Sequence, residues 1–308
     1  QEGVMTIPGQ SGAAGSIDAR IADPRGGILL IVVSGIFFAG LDAGAKHLTV
    51  LYPILQITWG RYLFQLFILP FILGRVRPRD LLRTRRPVLQ VLRGLLLMGA
   101  TLTFFVAVTY IPLADSAAIG AVAPLLVTAL AIPLLGEKVG ARRWAAVIIG
   151  LFGALIIIRP GFGTAHWATV MPLATALCFA LYQIVTRILA ASDPAVTTFL
   201  YTAIVGIILS SAVTPFIWVP MSGFDWLVMI GIGVLGGGGH YCIIQAMRRA
   251  QATVLAPFGF IQLIWVTIAG FLIFDDFPDI YTITGAAIVV SSSIYVFYRE
   301  GVVKGTGA

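Results

Sequence analysis

Asp42 and Lys46 are an acidic and a basic residue inside the first long apolar stretch of the chain. Because they are four residues apart, they would share one face of a helix. An ionisable side chain at mid-depth in a bilayer costs at least about 3 kcal/mol, so such residues usually face a partner or a cavity. The two could pair with each other, or they could meet the ammonium and carboxylate groups of an amino acid. Lys46 lies near the end of its stretch and could also extend to water.

Arg61 lies well inside the second apolar stretch, too deep to reach water easily. Its guanidinium needs a carboxylate, carbonyl groups or water around it. A structural pair with Asp42 and direct contact with a substrate both stay open. Gln65 is one turn deeper on the same face, where it could bind substrate or hydrogen-bond between helices.

Later apolar stretches hold a second group of polar and aromatic candidates. These are Tyr182, Gln183, His240, Tyr241, Gln245, Gln262 and Trp265. Tyr182, Tyr241 and Trp265 could stack against apolar or aromatic substrate side chains, or they could pack in the core or at the lipid interface. His240 and Asp42 are the two candidates for proton coupling, although a lone membrane histidine is more often a neutral hydrogen-bonded residue.

The stretch LGGGGHYCIIQ follows Gly231 and Gly233, which with Gly236 spell the G-x-G-x-x-G spacing of dinucleotide-binding loops. That fingerprint needs a preceding strand and a soluble helix after it. Here the glycines lie inside an apolar stretch, where a loop would leave backbone groups without partners. We therefore expect a continuous, bendable helix in which Gly233 and Gly237 let a neighbouring helix approach, with open space beside His240. Bulky replacements at Gly237 or Gly238 should impair transport.

The elements that must position these residues are membrane helices. The chain has 308 residues, of which 59% are hydrophobic and 11% charged, against about 25% charged in soluble domains. About 20 apolar residues are needed to cross a bilayer. Ten stretches qualify, at 27–46, 53–73, 88–110, 113–135, 142–159, 167–190, 195–219, 226–247, 252–274 and 281–299. The sequence predicts an all-α polytopic membrane protein.

The basic residues indicate the orientation. With Arg93 counted at the start of the third stretch, 17 of the 20 lysines and arginines fall on one side. The positive-inside rule then places both termini in the cytoplasm. The net charge of +7 is thus a topology signal rather than a nucleic-acid surface. Cys178 and Cys242 lie in apolar runs and are interpreted as small core residues.

The two halves of the chain carry a weak internal repeat. FAGLDAGAK at 38–46 matches FALYQIVTR at 179–187 at an offset of 141, and the same offset pairs Pro53 with Pro194. Five helices per half would insert the second half inverted, as in secondary transporters with a site near the midplane. We expect a cytoplasmic segment at 1–26, five-helix repeats at 27–160 and 161–299, and a cytoplasmic tail at 300–308.

The chain resembles the drug/metabolite transporter superfamily in its ten-helix, EamA-type form. The resembling features are the pattern around Lys46, Arg61 in WGRYL, and AVAPLLVTALAIPLLGEK with Pro124. In the second half, FLIFDD and Gln262 depart from this pattern. The family resemblance implies a small-molecule exporter of the bacterial inner membrane. Within the superfamily the chain is most similar to the YddG group, which implies export of amino acids, aromatic and other large apolar ones among them. The two halves would rock or bend about helices that contain prolines and glycines. The expected hinge residues are Pro124, Pro257, Gly236, Gly237, Gly238 and Gly239.

The expected function is therefore alternating-access export of amino acids through a cavity lined mainly by spans 1, 2, 6, 8 and 9. The alternative is export of cationic drugs or other metabolites, which needs an accessible carboxylate without a fixed cation beside it. No catalytic or phosphate-binding motif occurs, so we expect neither an enzyme nor a cofactor or metal. The expected partners are a small-molecule substrate and the lipid bilayer, with a monomer as the working expectation and no nucleic acid.

Overall fold

The computed structural model describes residues 23–72, 81–135, 141–160, 166–190, 192–249, 255 and 258–305. All regular structure within these ranges is helical. The main helices are α1 Pro24–Thr49, α2 Ile54–Gln65, α3 Pro87–Tyr110, α4 Leu113–Gly120, α5 Ala123–Leu135, α6 Ala141–Ile158, α7 Met171–Ala190, α8 Ala195–Ser211, α9 Gly223–Arg249, α10 Ile261–Phe274 and α11 Ile280–Gly305. The prediction of an all-α membrane protein is confirmed.

Six helical stretches of the described chain are long and apolar enough to cross a bilayer, and three shorter apolar helices accompany them. The second predicted span divides into α2, a 3-10 turn at Leu66–Ile68 and one further turn at Leu69–Ile72. Within the ninth predicted span, α10 begins at Ile261, and of the residues before it only 255 and 258–260 are described. Pro257, one of the expected hinge residues, lies outside the described residues.

The fourth predicted span is broken rather than continuous. Helix α4 ends at Gly120, and α5 begins at Ala123 after a turn. Pro124 is the second residue of α5, where its missing N–H costs no helical hydrogen bond. The break therefore lies directly before the proline that the sequence suggests as a hinge. Gly136 and Glu137, which end the family-like motif, lie outside the described residues.

Three helix pairs pack most extensively; one is α6 with α11, and the proposed repeat relates the other two. Helix α1 packs along α9, and α3 packs along α7. Under the proposed repeat, α1 corresponds to α7 and α9 to α3, so the two pairs would be equivalents. Pro53 and Pro194, which the repeat also aligns, stand immediately before α2 and α8. Proline is tolerated at the start of a helix because the first N–H groups of a helix have no partner within it.

The glycine run lies within helix α9, which continues unbroken from Gly223 to Arg249. The expectation of a continuous helix agrees with this finding. The four expected hinge residues of the run, Gly236, Gly237, Gly238 and Gly239, are all helical and almost fully enclosed by neighbouring helices. The helix has no break at any of them, so bending there stays a prediction.

The neighbours of the run fill the space that the missing side chains leave. A Cβ added at Gly233 would lie 2.4 Å from the Cβ of Phe64 in α2. On the side of α1, one added at Gly238 would lie 2.9 Å from the ring of Phe37. At Gly239 the corresponding distance is 2.8 Å, to the ring of Phe38.

The expectation of open space beside His240 is therefore wrong for Gly238 and Gly239. The physical reason is that helices without side chains on one face approach each other closely, so the rings of α1 occupy the volume. Five glycines of α9 are therefore packing surfaces for α1 and for the second predicted span rather than a wall of an open cavity; they are Gly233, Gly236, Gly237, Gly238 and Gly239.

Polar contacts hold the two membrane faces. At the face where α1 begins, Asp23 lies 3.8 Å from Arg249. At the opposite face, Lys46 pairs with Asp276 and Arg159 with Asp279. The chain therefore places its described acidic connection between α10 and α11 against basic groups that end α1 and α6.

Candidate functional site: a buried polar cluster

Arg61 anchors a polar cluster at the centre of the helix bundle. Its guanidinium is 4% exposed. Nη1 donates to the hydroxyl of Thr101 on α3 at 2.7 Å, and Nη2 lies 3.2 Å from Nε2 of His240 on α9. The guanidinium also lies over the ring of Tyr62, 5.0 Å from its centroid. Arg61 thereby joins α2, α3 and α9 through neutral groups.

Arg93 forms a second buried basic centre close by. Its side chain is 1% exposed, seven residues into α3. Nε donates to the hydroxyl of Thr186 at 2.6 Å, and Nη2 donates to the hydroxyl of Tyr182 at 2.5 Å. Nη1 donates to the carbonyl of Thr198 at 3.1 Å and to the hydroxyl of Thr202. The ring of Tyr182 also lies 4.3 Å from the guanidinium.

The assignment of Arg93 to the basic residues at the membrane surface is therefore wrong. The helix begins at Pro87, so Arg93 is nearly two turns inside it and points towards α7 and α8. The predicted span 88–110 begins only one residue later, so the position of Arg93 inside the apolar run can be read from the sequence. The neighbouring arginines at 83, 85 and 86 nevertheless make Arg93 look like the last member of a basic loop.

A small cavity of about 10 Å³, roughly the size of one water molecule, lies beside Arg93 and His240. Its lining is provided by α2, α3, α7, α8 and α9. The lining residues are Gln65, Arg93, Leu97, Tyr182, Phe199, Thr202, His240 and Ile244. Three of the predicted site residues thus face it, on spans 2, 6 and 8. Spans 3 and 7 contribute as well, which the sequence does not indicate.

Three buried polar atoms of the predicted site residues have no hydrogen-bond partner among the described residues. They are Nε of Arg61, Oε1 of Gln65 and Nε1 of Trp265. Folded proteins leave few buried polar groups unpaired, so each such group calls for a partner. The unpaired atoms offer two donors and one acceptor near the middle of the bundle.

Asp42 and Lys46 have different partners, so of the two alternatives that the sequence leaves open, the pair between them does not form. Asp42 is 7% exposed and accepts a hydrogen bond from Nε2 of Gln262 on α10 at 3.3 Å. Lys46 pairs with Asp276, and its ammonium lies 4.9 Å from the ring centroid of Phe274. The reason is geometric, since Lys46 is near the end of α1 and within reach of the connection after α10. Asp42 is left with a neutral partner.

The remaining predicted residues lie around this centre. Gln245 donates to the hydroxyl of Tyr241 at 2.8 Å, one turn apart on α9, and both are half-buried. Trp265 packs on α10 against the apolar cluster that contains two alanines of α1. Gln183 is half-buried on α7. Neither Tyr241 nor Trp265 lines the small cavity with Tyr182, so the expected trio of rings is not assembled there.

A second polar contact lies at the face where α1 begins and joins the connection after α7 to the start of α3. Asp193, in the connection after α7, accepts hydrogen bonds from Thr84, from Gln90 at 2.8 Å and from the backbone N–H of Arg85 at 3.2 Å. Partial burial opposes ionisation of this carboxyl, but the hydrogen bonds outweigh it and lower its pKa below the ordinary 3.8. The Lys46–Asp276 pair lies at the opposite face, so polar contacts between distant parts of the chain occur on both sides of the cluster.

A long apolar helical bundle with a buried, partly unpaired polar centre is the form expected of a membrane transporter. The model of the EamA-like transporter family matches residues 25–159 and matches again at 166–298. The chain belongs to the EamA-like transporter family. It is therefore a multi-pass membrane transporter of small molecules rather than an enzyme.

Relatives within this family carry several different names. An S-adenosylmethionine uptake transporter of Rickettsia felis is 26% identical, covering 89% of this chain and 92% of the relative. A riboflavin transporter of Vibrio cholerae is 27% identical, covering 90% and 94%. A pseudopaline exporter of Pseudomonas aeruginosa is 26% identical, covering 88% and 95%. None of these three is named as an amino-acid exporter, so the similarity to the YddG group stays a prediction.

A solved crystal structure shares the fold of this EamA-like chain. The superposition has a TM-score of 0.62 at 19% sequence identity and covers 86% of this chain and 96% of the other. At this identity the likeness concerns the fold alone. Taken with the family match, it supports the helical architecture described above.

Proposed function

We propose that this EamA-like protein transports amino acids or amino-acid derivatives that carry both a free ammonium and a free carboxylate group. The observation that carries the proposal is the separation of charges in the centre of the bundle. Arg61 and Arg93 are buried without a hydrogen-bonded carboxylate among the described residues, and Asp42 is buried without a hydrogen-bonded cation. A zwitterion supplies both missing partners.

The carboxylate would bind at the arginine side of the cluster. A buried charge is costly unless it is paired, and guanidinium–carboxylate hydrogen bonds are among the strongest in proteins. Arg61 has an unpaired Nε, and Arg93 lines the cavity with His240. A substrate carboxylate between them would satisfy the unpaired donor and offset a positive charge that the described residues leave unbalanced.

The ammonium would bind Asp42. This carboxyl now has only the amide of Gln262 as a hydrogen-bond partner, at 3.3 Å, which is longer than a good hydrogen bond. Lys46, which could have filled the place, is held by Asp276. Asp42 on α1 and Arg61 on α2 would then take the two ends of one amino-acid head group.

Aromatic rings around the cluster suit a large apolar or aromatic side chain. Phe38 and Tyr182 both contact His240 through ring edges, with centroids 5.0 Å and 6.1 Å apart. Trp265 adds an unpaired indole N–H. Two of the relatives' named substrates, S-adenosylmethionine and riboflavin, contain aromatic ring systems, and the first also has an amino-acid head group. These names support a ring-bearing cargo.

We place the protein in a bacterial inner membrane with both termini in the cytoplasm and amino-acid export as its direction. The excess of basic residues on the side of the termini supports this orientation. Single-cysteine variants Thr84→Cys and Phe277→Cys test it, with a membrane-impermeant thiol reagent applied to intact cells and to inverted membrane vesicles. The Thr84→Cys variant should react only in inverted vesicles and the Phe277→Cys variant only on intact cells. The reverse pattern would overturn the assignment.

Three ligands test the substrate class in the purified protein. Phenylalanine carries both charged groups, phenylalaninamide lacks the carboxylate, and 3-phenylpropionate lacks the ammonium. Calorimetric binding should be detected for phenylalanine and be at least about 30-fold weaker for each of the others, since each loses a buried charge pair worth about 2 kcal/mol or more. Equal affinity for all three, or no binding of phenylalanine, S-adenosylmethionine or any other amino acid, would refute the proposal.

Cationic cargo is the second candidate, because Asp42 meets the condition of a buried carboxylate with no fixed cation hydrogen-bonded to it among the described residues. Such a cargo needs Asp42 but has no use for the arginines. The protein should then bind phenylalaninamide at least as well as phenylalanine. Asp42→Asn should abolish that binding, whereas Arg61→Gln and Lys46→Ala should leave it intact.

A further inference from the structure

The cluster contains two titratable groups that could take part in proton exchange, Asp42 and His240. The structure separates them. Nε2 of His240 lies 3.2 Å from Nη2 of Arg61, and a guanidinium can only donate. Nε2 is therefore the acceptor and carries no hydrogen. A second proton on this ring would place an imidazolium directly against Arg61 and across the same cavity from Arg93.

Asp42 has the opposite surroundings. Arg61 of α2 is the cation whose charge acts on it, and Gln262 of α10 is its hydrogen-bond donor. Helix α9 faces this part of α1 with His240 as its titratable group. Lys46, on the same helix as Asp42, is paired with the connection after α10. The described residues offer no cation that is hydrogen-bonded to Asp42.

The other helices packed against this part of α1 are apolar there. Helices α3 and α4 face it with Phe104, Val108, Leu113 and Ala117. These side chains neither donate to a carboxylate nor neutralise it, so they make its charged form more costly. The free energy of ionising Asp42 therefore depends on whether a cation is bound beside it.

A buried carboxyl in this position can be neutral in two ways. It can hold a proton, or it can pair with a cationic ligand, and a carboxyl that keeps its proton has no negative charge for the ligand to pair with. The guanidinium of Arg61 is committed to Thr101 and His240 and does not fill the cationic place. Binding of an ammonium group at Asp42 therefore requires that a bound proton leave.

We propose that Asp42 couples transport to protons by exchanging its proton for the ammonium group of the substrate. This inference rests on the proposed function, since it needs a substrate with an ammonium group. On binding, the O–H bond of the Asp42 carboxyl breaks, the proton passes to water, and the ionised carboxylate pairs with the ammonium. On release at the other face, the carboxyl takes a proton from that side.

The exchange fixes the direction and the charge of the cycle. One proton moves opposite to each substrate molecule. A zwitterion carries no net charge, so each cycle moves one positive charge in the direction of the proton. An inward proton gradient then drives substrate outward. His240 remains a neutral hydrogen-bond acceptor that orients Arg61 and does not carry the coupled proton.

Proton release on binding is the direct test. Purified protein in weakly buffered detergent solution, at a pH where Asp42 is protonated before substrate is added, should release about one proton per bound phenylalanine. Because binding releases a proton, the dissociation constant for phenylalanine should fall about tenfold for each unit by which the pH rises over the same range. Calorimetry in two buffers of different ionisation enthalpy gives the same number independently.

Three variants locate the proton. Asp42→Asn should bind phenylalanine more weakly and release no proton. His240→Gln should still release about one proton per molecule bound, although its affinity falls with the loss of the Arg61 contact. Asp115→Asn, a carboxyl whose described partner is Thr282, is the matched control and should release protons as the unaltered protein does. Thermal unfolding of each variant checks that it is folded.

The possible failures are distinguishable. Phenylalanine binding without proton release, or release that persists in Asp42→Asn and vanishes in His240→Gln, overturns the coupling role of Asp42 and leaves the proposed substrate class standing. Absence of binding by any amino acid or amino-acid derivative at any pH removes the proposed function, and the coupling inference with it.

Discussion

At the scale of single residues, the arginines decide what the centre of the molecule can hold. Both are almost fully buried, and every described hydrogen bond that they make goes to a hydroxyl, an imidazole or a carbonyl. Neutral acceptors hold a guanidinium in place without cancelling its charge. This leaves each arginine oriented and its charge available to an anionic group.

Arg93→Gln tests this interpretation at one of the two arginines. The substitution should weaken phenylalanine binding by at least about 30-fold and change phenylalaninamide binding little, because only the first ligand has a carboxylate to lose its partner. Arg142→Gln, on the exposed part of α6, is the control for loss of one positive charge and should change neither. Equal weakening of both ligands by Arg93→Gln would show that Arg93 serves the structure alone.

The candidate residues can be named from the sequence, but their partners cannot. Polar and charged side chains are rare in apolar spans, so the sequence alone identifies Asp42, Arg61 and His240 as candidates. Pairing depends on how the helices pack, which has no local signal. Lys46 and Asp42 are one turn apart, yet the partner of Lys46 is 230 residues further along the chain.

At the scale of elements, α9 is where glycine permits close packing. Gly237 has Ile68 and Gln65 at about 3 Å from the position of an added Cβ, whereas nothing lies within 4 Å of that position at Gly231. One helix thus offers a crowded glycine and an open one, six residues apart. The crowding comes from the second predicted span, which carries Arg61 and Gln65.

Gly237→Leu should therefore abolish substrate binding, because a bulky side chain would push α2 away and displace Gln65 from the cavity. Gly231→Leu is the matched control with the same chemical change at an open position, and its binding and unfolding temperature should match those of the unaltered protein. Measuring both in one binding assay separates packing from helix propensity. Normal binding by Gly237→Leu would contradict the proposed role of the α2–α9 contact.

Gly238→Leu extends the same test to the side of α9 that faces α1. Its added side chain would meet the ring of Phe37, so we expect α1 to shift and substrate binding to weaken at least about tenfold. The double variant Gly238→Leu with Phe37→Ala makes room for the leucine and should recover part of the lost affinity. Binding by Gly238→Leu equal to that of Gly231→Leu would show that the α1–α9 contact is not needed.

Helix positions follow closely from apolar length, while breaks within helices do not. Most predicted spans agree with the observed helices to within a few residues, since hydrocarbon thickness fixes how long an apolar run must be. The turn between α4 and α5 lies in an uninterrupted apolar run. Only Pro124 hints at it, and proline is compatible with both a kink and a new first turn.

At the scale of the whole molecule, polar contacts join distant parts of the chain on both sides of the polar centre. The Lys46–Asp276 pair lies at one face, and the contacts of Asp193 with Thr84 and Gln90 lie at the other. The cavity between them is smaller than an amino acid. An amino acid therefore fits only if the helices around the cavity move apart, which is the behaviour that alternating access requires.

The central claim is transport of amino acids through this polar centre, and counterflow in proteoliposomes tests it most directly. Vesicles containing the pure protein and loaded with unlabelled phenylalanine should accumulate external radiolabelled phenylalanine above the level of protein-free vesicles. Vesicles with Asp42→Asn should not, and vesicles with Gly231→Leu should. Accumulation equal to that of protein-free vesicles, for phenylalanine and equally for leucine, tryptophan and S-adenosylmethionine, would contradict the account.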